Sequence, residues 1–172
     1  MGVIKTFYSK EIIKHFREPR NMGKMKNPSG YGKVGNLICG DVIWLYIKVE
    51  KDKKTGKSKI IDSKFQTLGC VVAIAVSSMI TTLAKGKTLG EALKITKDDI
   101  LKMTGKLPGI KVHCSILADD ALHEAIYDYL LKNKLPIPKE LQERHEKIQK
   151  HLKIIEERYK EYIDLEKKIL EK

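Results

Sequence analysis

Val71–Ala84 is apolar on nearly all sides, and this one stretch constrains the fold more than any other. A helix with that pattern is buried all round, and it is too short to cross a bilayer. The rest of the chain therefore has to be arranged around it. Before it come stretches with strand composition, Val42–Glu50 and Ile60–Leu68, joined by a turn at Lys51–Lys59 that contains Asp52, Thr55 and Gly56. A further strand can begin within Gly32–Ile38, while Arg20–Gly35 reads as an extended loop rich in Gly, Pro, Asn and Ser. Short turns between strands imply antiparallel pairing.

Helices make up the remainder. Ser9 can cap a helix that Pro19 ends, and Gly86 ends the apolar one. Thr88 and Thr96 can each cap a short helix, and Ser115 can cap an amphipathic one through Leu117, Ala121, Leu122, Ala125, Ile126, Tyr129 and Leu130. The expected fold class is α+β: a small antiparallel sheet of about three strands with helices on one face, plus a long C-terminal helix. Pro136 and Pro138 mark a boundary between a domain over 1–135 and a charged helical extension over 136–172. Beyond them Leu141, Ile148, Ile155, Tyr162 and Ile169 recur every seventh residue, with His145, Leu152 and Tyr159 three residues before the next member. Such a seam fits a helix lying on its own domain or a coiled-coil contact with another chain.

The net charge of +12 admits an acidic partner, a membrane surface or nucleic acid. Lysine is spread along the whole chain, however, arginine occurs only at Arg17, Arg20, Arg144 and Arg158, and aromatic residues are 6% of the total. That is not the clustered basic and stacking pattern of a nucleic-acid binder, so no nucleic-acid partner is expected. Heavy Lys and Glu use instead matches a heat-adapted surface. The N-terminus lacks a signal peptide's apolar core, and the expected location is cytoplasmic with no membrane partner.

Three cysteines remain: Cys39 in Cys39-Gly40-Asp41, Cys70 after Gly69, and Cys114 in His113-Cys114-Ser115. An odd number argues against a disulfide framework and fits a reducing compartment. Cys70 and Cys114 both precede expected helices, whose N-termini favour thiolates; Lys111 and His113 add to this at Cys114. Any one of the cysteines reads equally well as a buried thiol. Together, each at a Gly or His junction, they read as ligands for zinc or an iron–sulfur cluster, with Asp41 or His113 able to complete the set. No Cys-x-x-Cys pair is present, so the ligands have to converge from distant parts of the chain.

The sequence resembles the iron–sulfur cluster assembly scaffolds of the IscU/NifU N-terminal family over roughly residues 7–132. The likeness runs through Tyr8-Ser9, Ile12-Ile13-x-His15-Phe16-x-x-Pro19-Arg20-Asn21-x-Gly23, Cys39-Gly40-Asp41 and Gly69-Cys70-x-x-Ala73-Ile74-Ala75-x-Ser77-Ser78. It continues in Lys85-Gly86-Lys87-Thr88-Leu89-x-Glu91-Ala92 and Lys111-Val112-His113-Cys114-Ser115-Ile116-Leu117-Ala118-x-Asp120-Ala121. The resemblance implies a non-enzymatic scaffold that builds a [2Fe–2S] cluster from iron and passes it to apo iron–sulfur proteins. Cys39, Cys70 and Cys114 would be the ligand cysteines, Asp41 and His113 candidates for the fourth ligand. Cys114 would be the acceptor of persulfide sulfur from an IscS/NifS-like cysteine desulfurase. An Hsp70-type chaperone and a homo-oligomer are further implied partners.

Two departures qualify the likeness. Val71-Val72 follows Cys70 where the family commonly has Gly-Ser, and Leu107-Pro108-Gly109-Ile110-Lys111 replaces Leu-Pro-Pro-Val-Lys, the motif read by the chaperone. One alternative is a zinc-binding sulfur acceptor of the SufU type, although the interval Cys70–Cys114 is short for that branch. Zinc also suits the thiolate set in purified material. A basic nucleic-acid-binding module with structural zinc is the other alternative.

Overall fold

The structure is a computed structural model that describes residues 8–36 and 40–170, with residues 161–170 as backbone only. Its sheet has three antiparallel strands in the order β1 (Gly30–Gly35), β2 (Val42–Lys51) and β3 (Ser58–Leu68). β1 therefore overlaps the further strand expected in Gly32–Ile38, whose residues 37 and 38 lie outside the described residues, while it starts within the Gly- and Pro-rich stretch read as a loop. Pairing with β2, Gly30 to Ile47 and Gly35 to Val42, overrides the weak strand propensity of its glycines. On the far edge, residues 21–23 lie against β3: the Phe65 N–H donates to the Asn21 carbonyl (3.0 Å) and the Gly23 N–H to the Phe65 carbonyl (2.7 Å).

One face of the sheet supplies Ile43, Leu45, Ile47, Ile60 and Phe65, all fully buried. Helix α5 (Val112–Lys132) crosses β1 at backbone contact. A Cβ at Gly32 would fall 2.3 Å from the Ala121 carbonyl oxygen, which is why a residue without a side chain is needed there. Helix α2 (Val71–Ala84) is buried on nearly all sides, between α5 and α1 (Lys10–Arg17). Its hydroxyls are matched by the opening segment. Ser78 Oγ accepts from the Arg20 N–H (2.8 Å) and pairs with His15 Nδ1 (2.8 Å), and Asn21 Nδ2 donates to Thr81 Oγ1 (3.1 Å). Buried polar groups need such partners, so the sequence between Pro19 and Gly23 is tied to α2 rather than loose.

The caps expected at Ser9, Thr88 and Thr96 are present at α1, α3 (Leu89–Ala92) and α4 (Lys97–Thr104). The cap expected at Ser115 is not. A 3₁₀ turn at Gly109–Lys111 runs into α5 at Val112, and Ser115 lies buried inside the helix. The chain thus enters α5 four residues earlier than the Ser signal indicates, and Cys114 sits in its first turn rather than ahead of it.

Helix α6 (Lys139–Leu170) is about 48 Å long at 1.5 Å per residue. Along its first half the heptad seam faces this chain's own domain, with Leu141, Ile148 and Leu152 buried. Polar pairing fixes it there. Arg144 bonds Asp119 (Nη2 to Oδ2, 2.7 Å) and Asp120 (Nε to Oδ1, 2.7 Å), while His145 and Gln149 hold Glu124 at 3.0 and 2.9 Å. The His145 ring stacks on Tyr127, with centroids 3.8 Å apart and planes 9° from parallel. Burial works against charge on Asp119, but His123 and Arg144 outweigh it and hold the carboxyl below its ordinary range.

Candidate metal centre

Four of the five residues singled out above converge at one end of the sheet. Cys70 caps α2, and its Sγ lies 4.0 Å from that of Cys114 in the first turn of α5. Asp41, at the entrance to β2, approaches Cys114 Sγ at 3.7 Å through Oδ2, and His113 Nε2 approaches it at 3.5 Å. Ligand atoms of Asp41, His113 and Cys114 all lie within 4.8 Å of one another. Cys39 lies outside the described residues.

Local structure explains the meeting. Asp41 is 96% buried although it is a carboxylate: it stands just before β2, with its carboxyl against Gly69 and Cys114 Sγ. Gly69 makes room for it: a Cβ there would sit 3.0 Å from the Asp41 carboxyl carbon and 2.9 Å from the Ala73 Cβ. The glycine before Cys70 thus admits the acid, beyond sparing the thiol a bulky neighbour.

The two described thiols differ. Cys114 is fully buried, whereas Cys70 is part-exposed. The hydrogen bond with Cys114, and the Ala73 and Val72 N–H groups at the start of α2, lower the Cys70 thiol to about 5 against the burial and the Asp41 charge that raise it. Lys111 stands beside this thiolate, and the Cys70 charge raises its ammonium above the usual lysine range. The sequence attached Lys111 to Cys114; the structure keeps that pairing and adds a stronger one with Cys70. The folded-state thiol is depressed, so its contribution to stability is full above the ordinary thiol value of 9.0 and is lost as pH falls through about 5. Accordingly, iodoacetamide should label Cys70 with a rate that titrates near pH 5 in the metal-free protein, with Cys114 far slower. A half-maximal rate at the ordinary thiol value would contradict this.

Soft thiolates with one carboxylate or imidazole suit zinc, iron or an iron–sulfur cluster. A weaker oxygen or nitrogen ligand in such a set leaves one position exchangeable.

Residues 7–136 match the model of the NifU-like N terminal domain. Iron-sulfur cluster assembly scaffold protein IscU 1 of Archaeoglobus fulgidus is 52% identical over 126 residues, which is 73% of this chain and 78% of the relative. The IscU scaffold of Aquifex aeolicus is 43% identical over 125 residues, 73% of this chain and 77% of that protein. A Drosophila melanogaster protein named iron-sulfur cluster assembly enzyme IscU is 42% identical over 130 residues, 74% of this chain and 80% of its own length. Among solved structures, a scaffold protein described as belonging to the SUF system of Fervidobacterium islandicum superposes with a TM-score of 0.56 at 25% identity. That match covers 69% of this chain and 96% of the other. No described helix is long and apolar enough to cross a membrane.

Proposed function

The chain belongs to the IscU/NifU N-terminal family, and from that premise we propose that it is a scaffold on which a [2Fe–2S] cluster is assembled and then handed to apo iron–sulfur proteins. The observation that carries the reading is the 4.0 Å approach of Cys70 and Cys114 Sγ, with Asp41 and His113 around Cys114. On this reading residues 1–135 are the scaffold unit and 136–172 an extension of it. Cys39, Cys70 and Cys114 hold the iron, and Asp41 or His113 takes the remaining position.

Sulfur arrives as the persulfide of a cysteine desulfurase. A scaffold thiolate attacks the outer sulfur, a new S–S bond forms on the scaffold, and the desulfurase cysteine leaves as a thiolate. Cys114 is the cysteine on which this sulfur rests. Because Cys70 is the more open thiolate and lies 4.0 Å away, it can relay sulfur inward to Cys114 by the same exchange. Converting that sulfur to sulfide takes electrons from a separate reductant. Mass spectrometry after brief incubation with the desulfurase and cysteine should find the persulfide accumulating on Cys114. Accumulation on Cys39 or Cys70 with none on Cys114 would overturn the assignment.

Asp41 has a second role on this account. A carboxylate is a weak, exchangeable ligand, so it keeps the cluster transferable. Asp41→Ala should lengthen the half-life of the assembled cluster several-fold, in air or against an apo-ferredoxin acceptor. A faster decay than in the unaltered protein would contradict this.

A zinc-binding sulfur acceptor is the second reading. Its support is the donor set itself, since thiolates with one imidazole or carboxylate make a tetrahedral zinc site, together with the likeness to a SUF-system protein.

A further inference from the structure

We propose that Leu152 and Ile155 of α6 are positioning residues for the site: they clamp the stem of the segment that delivers Asp41, and so set how firmly the site holds metal. The functional half of this rests on the scaffold reading above; the structural half does not.

β1 ends at Gly35, opposite Val42, the first residue of β2. Two backbone hydrogen bonds close the stem beyond it. The Asn36 N–H donates to the Asp41 carbonyl (2.9 Å), and the Gly40 N–H donates to the Asn36 carbonyl (3.0 Å). β1 is an edge strand, so this stem has no neighbouring strand on its outer side. Helix α6 occupies that position instead. A Cβ at Gly35 would fall 2.9 Å from Ile155 Cδ1, 3.4 Å from Leu152 Cδ2 and 3.8 Å from the Asp41 carbonyl oxygen. Two side chains of the extension and the backbone of a candidate ligand thus converge on one glycine.

The helix is held in place from both sides of this contact. Arg144 and His145 bind α5 upstream, and Glu156 reaches Lys33 of β1 at 3.2 Å just beyond it. Local opening is governed by how much apolar cover and hydrogen bonding a segment has. The two bonds just named and the apolar cover from Leu152 and Ile155 act on the stem together. All of α6 lies beyond the matched family domain, which ends at residue 136. The clamp is therefore an addition that bears on the centre from outside it.

The test uses the full chain without metal. Leu152→Ala/Ile155→Ala should speed amide exchange at Asn36 and Gly40 by about tenfold or more, while the Ile80 amide in α2 slows or speeds far less. Ile155→Ala alone is the milder variant should the pair fold poorly. Ile155→Leu, which keeps a δ-methyl for this contact, should stay near the unaltered protein. Leu141→Ala removes apolar cover at the opposite end of α6 and should leave both stem amides within about twofold. The second readout is cobalt(II) affinity, followed by thiolate-to-cobalt absorption, which should fall in the double variant and not in Leu141→Ala. Unchanged exchange at Asn36 and Gly40 overturns the inference. So does a loss shared equally by Ile80, or a loss at the stem with unaltered cobalt affinity. If the unaltered chain shows no thiolate–cobalt band, the scaffold reading fails while the exchange data still decide the clamp.

Discussion

Arg144→Ala should lower the melting temperature of the metal-free protein by about 6–12 °C. The guanidinium bonds Asp119 and Asp120 at 2.7 Å, and Asp119 is 94% buried. Removing one partner of a buried ion pair costs about 3–5 kcal/mol, because the other charge is left without compensation. We take the low end, about 3 kcal/mol, since His123 remains 3.1 Å from Asp119. At this chain length each kcal/mol moves the midpoint by about 2–4 °C. The effect has a defined pH dependence. The Asp119 carboxyl is depressed in the folded state, so the pairing stabilises above the ordinary carboxylate value of 3.8 and fades as pH falls through the lower folded value. The gap between the unaltered protein and Arg144→Ala should therefore narrow in acid. A thermal melt showing a shift of a degree or less at neutral pH would mean that α6 is not anchored through Arg144.

Cys70→Ala and Cys114→Ala should each abolish stable cluster binding while the melting transition survives. The thiols stand 4.0 Å apart, and among the described residues the other donors at Cys114 are a carboxylate and an imidazole. Iron holds to thiolates far better than to such a substitute set. Cys39→Ala is expected to do the same. Visible absorption after anaerobic reconstitution with iron and sulfide reads the outcome. A stable cluster in any of the three variants would remove that cysteine from the ligand set.

Much of the architecture was legible because each piece had a local cause. Val71–Ala84 had to be central, being apolar on nearly all sides, and Thr88 announced a capped helix. β1 was less legible: its residues Gly30, Gly32 and Gly35 look like loop, and what makes them a strand is pairing with β2 and the crossing of α5. The start of α5 was misread because Ser115 carries a capping side chain, whereas the 3₁₀ turn ahead of Val112 has no such signal. At the centre, Cys70, Cys114, Asp41 and His113 could be picked out by residue type and neighbours. That Gly69 makes room for Asp41, and that Lys111 serves Cys70 as well as Cys114, are facts of three-dimensional approach with no spacing rule behind them. The seam of α6 was visible, but its partner was not. No spacing in the sequence pairs Asp119 with Arg144 or Glu124 with His145, which meet only in the folded chain.

The most direct measurement of the central claim is Mössbauer spectroscopy of the full chain after anaerobic reconstitution with iron-57 and sulfide, alongside chemical analysis for iron, acid-labile sulfide and zinc. The scaffold account predicts a diamagnetic diferric spectrum, with iron and acid-labile sulfide in equal amounts and little zinc. A protein that stays colourless and keeps tightly bound zinc through the same treatment would contradict it.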